Sequence, residues 1–538
     1  MFNAMLRSLK LRLGKYLPQT RLEKASLQGL SGEISKESGF NVLYCSFNPS
    51  LLEDELKLVE SYSLKDGLVS VSIATLNGVY KYLVSEPQLS FSELSYLRVL
   101  METMKTVTKP DPGLLNNPEA YIDRCIKEAI NHRGINLADD VRTKLTYYLR
   151  RDTVGYGPLD PFMSDTRIED ISLEGVGRPV RVIHRDYGDV GWLTSNLVFT
   201  AEKDVDDIVM RLAHMGGKHV STAFPMTEVA LTSNHRATVT LSREISPHGS
   251  SFTIRKFREE PLTICHLVKS GTLSPLMAAY LWLLLDYRCF IMVIGPMASG
   301  KTTLLNALSS FLNPSWKIVT IEDTPELNLP HQGWKPLVAR HVYTLGEVRT
   351  EIKIFDLVKL SLRERADFLI VGEVRGREVH SLIQAAASGH GCACTFHGDS
   401  FESMVQRLTN PPLSVKESTL PLIQCLIILK RVLLHGKRYV RRIVEIGEIL
   451  SAKEYGRIFS WNPKTDTFTP SNTEEVVKAS SLLAKIRERY LIGNAEILSE
   501  INNRASFLED LIKKGIINHV EVAKRVAELY SKGRLTAI

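Results

Sequence analysis

Nothing in the 538-residue chain limits its architecture more than one stretch. Ile291-Met-Val-Ile294 is followed by Gly295-Pro-Met-Ala-Ser-Gly300-Lys301-Thr302-Thr303 and then Leu304-Leu-Asn-Ala-Leu308. A buried strand, a loop with glycines five residues apart ending in Lys-Thr, and an apolar helix make a phosphate cradle. The glycines let the backbone wrap an anion, and the helix start points its free amides at it. Lys301 is expected to neutralise β- and γ-phosphate oxygens and Thr302 to hold Mg²⁺. The expected binding segment is therefore Gly295, Pro296, Met297, Ala298, Ser299, Gly300, Lys301, Thr302 and Thr303.

The surrounding sequence has the rhythm that such a loop needs. From about 264 to 450, short apolar runs alternate with helical stretches, as in a parallel sheet built from βαβ units. Lys317-Ile-Val-Thr-Ile321 ends in Glu322-Asp323-Thr-Pro-Glu326, and Phe368-Leu-Ile-Val371 ends in Gly372-Glu373. Ligands bind at the carboxyl ends of strands in open α/β sheets. Glu322, Asp323 and Glu373 are thus candidates, with Thr302, for holding Mg²⁺, or for orienting water; helix capping and surface charge are the plainer alternatives. A fourth run, Cys392-Ala-Cys394-Thr395, delivers His397 to the same edge, where an imidazole could sense the γ-phosphate. C-x-C with two histidines is not a usual zinc spacing, so both cysteines are read as core.

Upstream, strand-like runs (Gly67 to Ala74, Val79 to Val84) and a helical run (Phe91 to Met104) precede Lys109-Pro-Asp-Pro-Gly113, a strong breaker. A helical stretch then leads into strands near 168–173, 180–183 and 236–241, an α+β module. Phe257-Arg-Glu-Glu-Pro261 is a hinge candidate, and the chain beyond Asn472 is helical and charged. The expected domains are 1–110, 111–258 and 264–471, with a hinge at 259–263 and a helical region at 472–538.

Ordinary globular composition, with 44% hydrophobic and 24% charged residues, excludes disorder and a disulfide miniprotein. No C-x-x-C pair occurs among the seven cysteines, and a reducing cytoplasm is the simplest setting. Met277 to Ile294 is broken by Asp286 and Arg288, so it reads as a buried helix and strand rather than a membrane span. The net charge of +7 is local: residues 1–29 carry +5 and 429–442 carry +6, leaving the rest at −4. Phe2, Met5, Leu6, Leu9 and Leu13 share one helical face beside Arg7, Lys10 and Lys15, compatible with an anionic membrane surface or with core docking.

Four ordered motifs together resemble the type II/type IV secretion ATPase superfamily, most nearly its archaeal branch. They are a Walker A segment at 295–303, an Asp box at Ile321-Glu-Asp-Thr-Pro-Glu-Leu327, an atypical Walker B at Leu369-Ile-Val-Gly-Glu-Val-Arg375, and a His box from Gly389-His390 to Thr395-Phe-His397. Tyr156-Gly-Pro-Leu159, Ile168-Glu-Asp-Ile171 and Ser251-Phe-Thr-Ile-Arg-Lys-Phe257 extend the likeness upstream. Ala366 departs from it, standing where the family usually has proline.

The resemblance implies an α/β fold. A RecA-like P-loop motor domain would be preceded by an α+β (PAS-like) domain and an extra N-terminal domain, and followed by a helical tail. It implies ATP and Mg²⁺ as ligands and a ring, usually a hexamer. A membrane platform protein would be the partner and the inner face of the cell membrane the location. It also implies arginines that complete the site, for which Arg236, Arg243 and Arg255 occupy the matching segment, with strand-face surface charge as the alternative; Arg363 and Arg375, flanking the Walker B strand, are weaker candidates for inter-subunit pairing. Catalysis would rest on Lys301, on Glu322 or Glu373 to position or activate water, and on His397.

Three other readings compete. A RecA-like nucleic-acid motor could use the 429–442 run to grip a backbone, but Tyr439 is its one aromatic residue and no RRM, OB or zinc-finger pattern occurs. A basic edge strand or a lipid- or partner-facing surface explains the run as well. Asn462-Pro-Lys-Thr-Asp466 matches a guanine-reading motif only loosely, which argues against a GTPase. An ATP-gated scaffold without turnover is disfavoured by the intact Lys301, Thr302 and Glu373.

Overall fold

The computed structural model describes residues 42–44, 56–107, 117–258, 260–340, 351–434 and 438–531. The Lys109–Gly113 breaker and the apolar face at Phe2–Leu13 lie outside them. Two compact units divide between Phe257 and Arg258.

In the first unit the strands are β1 (Val42–Tyr44), β2 (Leu56–Leu64), β3 (Val69–Leu76), β4 (Val79–Ser85), β5 (Ile168–Leu173), β6 (Pro179–His184), β7 (Trp192–Phe199), β8 (Met226–Ala230), β9 (Arg236–Thr240) and β10 (Ser251–Arg255). They run in the order β2-β3-β4-β7-β6-β5-β10-β9-β8, with β1 on β7. Among the described residues of this unit only β4 and β7 pair in parallel. Helices α1 (Phe91–Val107), α2 (Pro118–Arg133), α3 (Asp139–Thr153), the short α4 (Asp160–Ser164) and α5 (Glu202–Met215) accompany this sheet. The sequence predicts a separate domain over residues 1–110, of which 42–44 and 56–107 are described. They share this sheet, and Val71, Leu97, Ile122, Ile171 and Val209 belong to one apolar cluster.

The second unit is organised by strands that are apolar on both sides. Its strands are β11 (Ile291–Gly295), β12 (Ile318–Glu322), β13 (Trp334–Val338), β14 (Phe368–Val374), β15 (Gly391–His397), β16 (Cys425–Leu434), β17 (Arg438–Ile449), β18 (Tyr455–Asn462) and β19 (Thr467–Thr469). The order is β13-β12-β14-β15-β11-β16-β17-β18-β19. From β13 to β16 every pair is parallel, and the remaining strands are antiparallel. Side chains alternate across a strand, so β11 sends Ile291 and Val293 into one core and Met292 and Ile294 into the other. Cys392 and Cys394 are fully buried in the second of these cores.

Helices close both faces: α6 (Ile264–Lys269), α7 (Pro275–Asp286), α8 (Lys301–Ser309), α9 (Ile354–Leu362), α10 (Glu378–Ala387), α11 (Phe401–Thr409), α12 (Thr473–Ala479), α13 (Ser481–Tyr490), α14 (Asn494–Lys513) and α15 (His519–Ser531). The C-terminal helices complete a core: Val476, Leu483, Ile501 and Val526 cluster with Trp282 and Ile291. Asp286, the charge that interrupts the long apolar run, meets Arg504 of α14 at 2.7 Å, and both are buried. Trp282 stacks on Phe311 at 4.4 Å and donates to Tyr530. Among the described residues no helix is long and apolar enough to cross a membrane.

Candidate functional site

The carboxyl ends of four neighbouring parallel strands bring the sequence-marked residues together. Gly295 at the end of β11 is in register with His397 at the end of β15. Glu322 ends β12, and Glu373 lies near the end of β14, the strand between β12 and β15. Because each strand is anchored by buried residues on both faces, its last residue is placed by the sheet rather than by a loop.

After β11 the loop turns tightly onto α8. Gly295 must be glycine, since a Cβ there would stand 2.2 Å from the carbonyl oxygen of Leu429; Gly300 caps α8 at φ +96°, in the left-handed region. No side chain caps α8, so its first amides are not claimed by a capping oxygen. Pro296, Met297 and Ala298 are exposed, whereas Ser299 is buried and donates to Pro296 O at 2.9 Å. Thr302 and Thr303 are half-buried on the first turn.

Lys301 is buried and folds back, donating from Nζ to Gly295 O (3.0 Å) and Pro296 O (2.9 Å). Burial lowers its pKa, against the opposing pull of Glu373 and Glu326. A phosphate would offer this ammonium the anionic oxygens that two neutral carbonyls now replace.

Glu322 is 3% exposed and accepts from the amides of Glu326 (2.9 Å) and Leu327 (3.1 Å). Burial outweighs those two bonds and pushes its pKa up to about 7, the range suited to a general base at neutral pH. Asp323 and Glu326 follow it, half-buried and exposed respectively. Glu373 is engaged on both oxygens: Arg375 donates to Oε2 at 2.6 Å, and His397 Nε2 lies 2.7 Å from Oε1. Burial first, and then Lys301, lower the His397 pKa, which favours the neutral ring. Arg407 of α11 donates to the His397 carbonyl and lies over Phe396. Glu378 accepts from the amides of Arg375 and Gly376, both at 2.6 Å, and fixes the loop after β14. His390, at the opposite end of β15, is bonded to Ala385 O and stands apart from this cluster.

Mg²⁺ keeps several waters and takes one or two carboxylates besides phosphate oxygens. Thr302, Glu322, Asp323 and Glu373 are hard oxygen donors, and Glu373 Oε1 is a buried atom without a well-aligned hydrogen bond. The donor set fits a cation that arrives with phosphate. No group of three or more His, Cys, Asp or Glu poised for a metal occurs among the described residues.

The arginines expected to complete the site all lie in the first unit, each already paired. Arg236 of β9 bonds Glu228, Arg243 bonds Glu202 at 2.9 Å, and Arg255 of β10 bonds Asp170 at 3.0 Å. Arg236 and Arg255 are directly opposite on adjacent strands and share a face. Arg375 bonds Glu373 while its side chain stays exposed, and Arg363 is exposed at the end of α9.

One residue escaped the sequence reading. Arg441 of β17 lies over the 295–300 loop, its Cδ 3.1 Å from where a Gly300 Cβ would be and its Nε 3.4 Å from Ala298 O. Its only sequence signal is the basic run 429–442, in which composition does not distinguish one base from the next. That run is no edge strand, because β16 and β17 are interior to the sheet order.

Residues 197–446 match the family described as type II/IV secretion system protein. The uncharacterized protein MJ0900 of Methanocaldococcus jannaschii is 32% identical over 482 residues, spanning 84% of this chain and 85% of that protein. The chain belongs to the type II/IV secretion system protein family. Another relative is the putative conjugal transfer protein Rv3659c of Mycobacterium tuberculosis, 31% identical over 47% of this chain and 71% of its own. Among solved structures, the pilus retraction motor PilT with bound ADP matches at 19% identity over 68% of this chain and 95% of its own, with a TM-score of 0.40. In this secretion-family chain the family match includes all of β11, β12, β14 and β15.

Proposed function

We infer that this secretion-family chain hydrolyses ATP as the motor of a secretion or pilus-like machine. The observation that carries the reading is the convergence of Lys301, Glu322, Glu373 and His397 at four adjacent strand ends around an uncapped helix start. In this reading the second unit is a RecA-like motor domain. Residues 259–263 act as a hinge between it and the α+β domain.

The α8 amides and Lys301 bind the phosphates, and Arg441 reaches them from β17. Thr302 with Glu373 would hold Mg²⁺, which when bound neutralises charge on the phosphate oxygens. Glu322 takes a proton from water as the water attacks the γ-phosphorus and the bond to the ADP oxygen breaks. His397, neutral and beside Glu373, senses whether the γ-phosphate is present. Arg236, Arg243 or Arg255 leaves its carboxylate partner to stabilise the transferred phosphoryl charge, which ties turnover to closure. Such a site fits a ring, taken as a hexamer, on the cytoplasmic face of the membrane, working on a polytopic platform protein.

The nucleic-acid reading loses its main support from the same geometry. Arg442 is buried against Asp466, Arg441 leans on the phosphate loop, and Arg431 lies over Tyr439.

The test is Mg²⁺-dependent ATP hydrolysis per chain against protein concentration, for wild type and Lys301→Ala. Activity that rises cooperatively and vanishes in the variant is expected. Turnover that survives Lys301→Ala refutes the site, and absence of hydrolysis at every concentration favours the nucleotide-gated scaffold.

A further inference from the structure

The loop Asn462-Pro-Lys-Thr-Asp466 has no place in the reaction as described, yet its last residue is tightly engaged. We propose that Asp466 and Arg442 are positioning residues that hold Arg441 on the phosphate loop and so set nucleotide affinity. The inference rests on the reading of Arg441 as a nucleotide contact.

Adjacent residues of a strand point to opposite faces. On β17, Arg441 projects outward over Ala298, whereas Arg442 is buried with its side chain 4% exposed. The Arg442 guanidinium is used as a fork. Nε and Nη2 donate to the two Asp466 oxygens, each at 2.8 Å, and Nη1 donates to Ser270 O and to the carbonyl of Arg441 itself, both at 3.0 Å. Trp461 Nε1 adds a 2.9 Å bond to Asp466 Oδ1. The pair therefore grips the backbone of the residue whose side chain touches the loop.

This part of the hairpin needs such a grip. β16 pairs with β11 only through Ile428, and β18 pairs with β17 only over Glu445–Ile449. The arm beyond is held by the β16–β17 ladder, in which Lys430 faces Arg442 and Arg431 faces Arg441. Two consecutive like-charged pairs directly opposite each other weaken a ladder. Asp466 supplies the compensating charge for the Lys430–Arg442 pair, and Ile443 N donates to Thr272 O at 2.9 Å to tie the root of the arm to the turn after α6. Asp466 sits at φ +53°, a left-handed position that Asn also tolerates. Asp466→Asn thus removes the charge while keeping the turn.

The experiment is equilibrium binding of a fluorescent ADP analogue to the full chain, with ATP turnover at saturating substrate measured alongside. If the released arm leaves Arg441 docked a fifth of the time, Asp466→Asn weakens binding about fivefold. Turnover at saturation should stay within about twofold, since only binding is affected. Arg442→Lys keeps the charge but not the fork and should weaken binding in the same direction. In an Arg441→Ala background, Asp466→Asn should add nothing, the non-additivity expected of residues acting through one another.

If Arg441→Ala weakens binding and Asp466→Asn does not, the positioning role is wrong and the Arg441 reading stands. If Arg441→Ala itself leaves binding unchanged while Lys301→Ala abolishes it, both fall. An equal loss from Asp466→Asn with and without Arg441 means that it acts by another route, and also overturns the proposal.

Discussion

Glu322→Gln should abolish turnover and yet stabilise the protein at alkaline pH, a combination that a merely structural carboxylate would not give. Folding raises the pKa of this carboxyl from 4.5 to about 7, chiefly through burial. A carboxyl whose pKa rises on folding favours the native state most when protonated. Its contribution is fully present below pH 4.5 and is lost as pH climbs through about 7. At pH 8 the ionised group costs roughly 3 kcal/mol, at 1.4 kcal/mol per pKa unit.

Glutamine avoids that cost. Its carbonyl can keep the bonds from the Glu326 and Leu327 amides that Oε1 now accepts, but its NH₂ group replaces the oxygen that also faces Leu327 N at 3.3 Å. Losing that acceptor offsets about 1 kcal/mol, so a net gain of roughly 2 kcal/mol remains at pH 8. Differential scanning calorimetry should show a Tm higher by about 4 °C at pH 8, with the difference vanishing at about pH 5 and reversing slightly below it, where the wild-type carboxyl is neutral as well and only the lost acceptor remains. Turnover should fall about 10²- to 10⁴-fold, the ordinary worth of a positioned base. A Glu322→Gln protein less stable than wild type at pH 8, or one that keeps its turnover, refutes the assignment.

Arg255→Ala and Arg236→Ala should each leave ADP affinity intact while one of them cuts turnover by about 10³-fold or more, as loss of a transition-state arginine does. If a neighbouring chain supplies that arginine, mixing the impaired variant with Lys301→Ala should restore part of the activity; activity no greater than the two variants give separately rules this out. Arg504→Ala strands Asp286 in the core, and breaking such a buried pair costs roughly 3–5 kcal/mol. Limited proteolysis should then release the segment containing α14 and α15 first, and a cleavage pattern identical to wild type contradicts their docking through this pair.

The sequence alone determined the elements that have a strong local signature. The glycine spacing, the lysine after Gly300 and the apolar runs before each acid located the strand ends, because strands buried on both faces must be apolar throughout. Asp286 and Arg288 ruled out a membrane span from charge alone, and the structure shows where those charges go: to Arg504 and to Asp367.

Relations between distant segments were decided only by the tertiary structure. Residues 56–107 join the following sheet through the β4–β7 pairing, and residues 473–531 finish a face of the core; neither partner is encoded near its own segment. The raised pKa of Glu322 depends on how completely Gly372 and the neighbouring strands exclude water, which no local pattern records. Six basic residues in 429–442 look alike in sequence, yet strand alternation and the position of Asp466 send Arg442 into the protein and Arg441 onto the 295–300 loop. Charge is a property of composition, whereas the partner of a charge is set by packing.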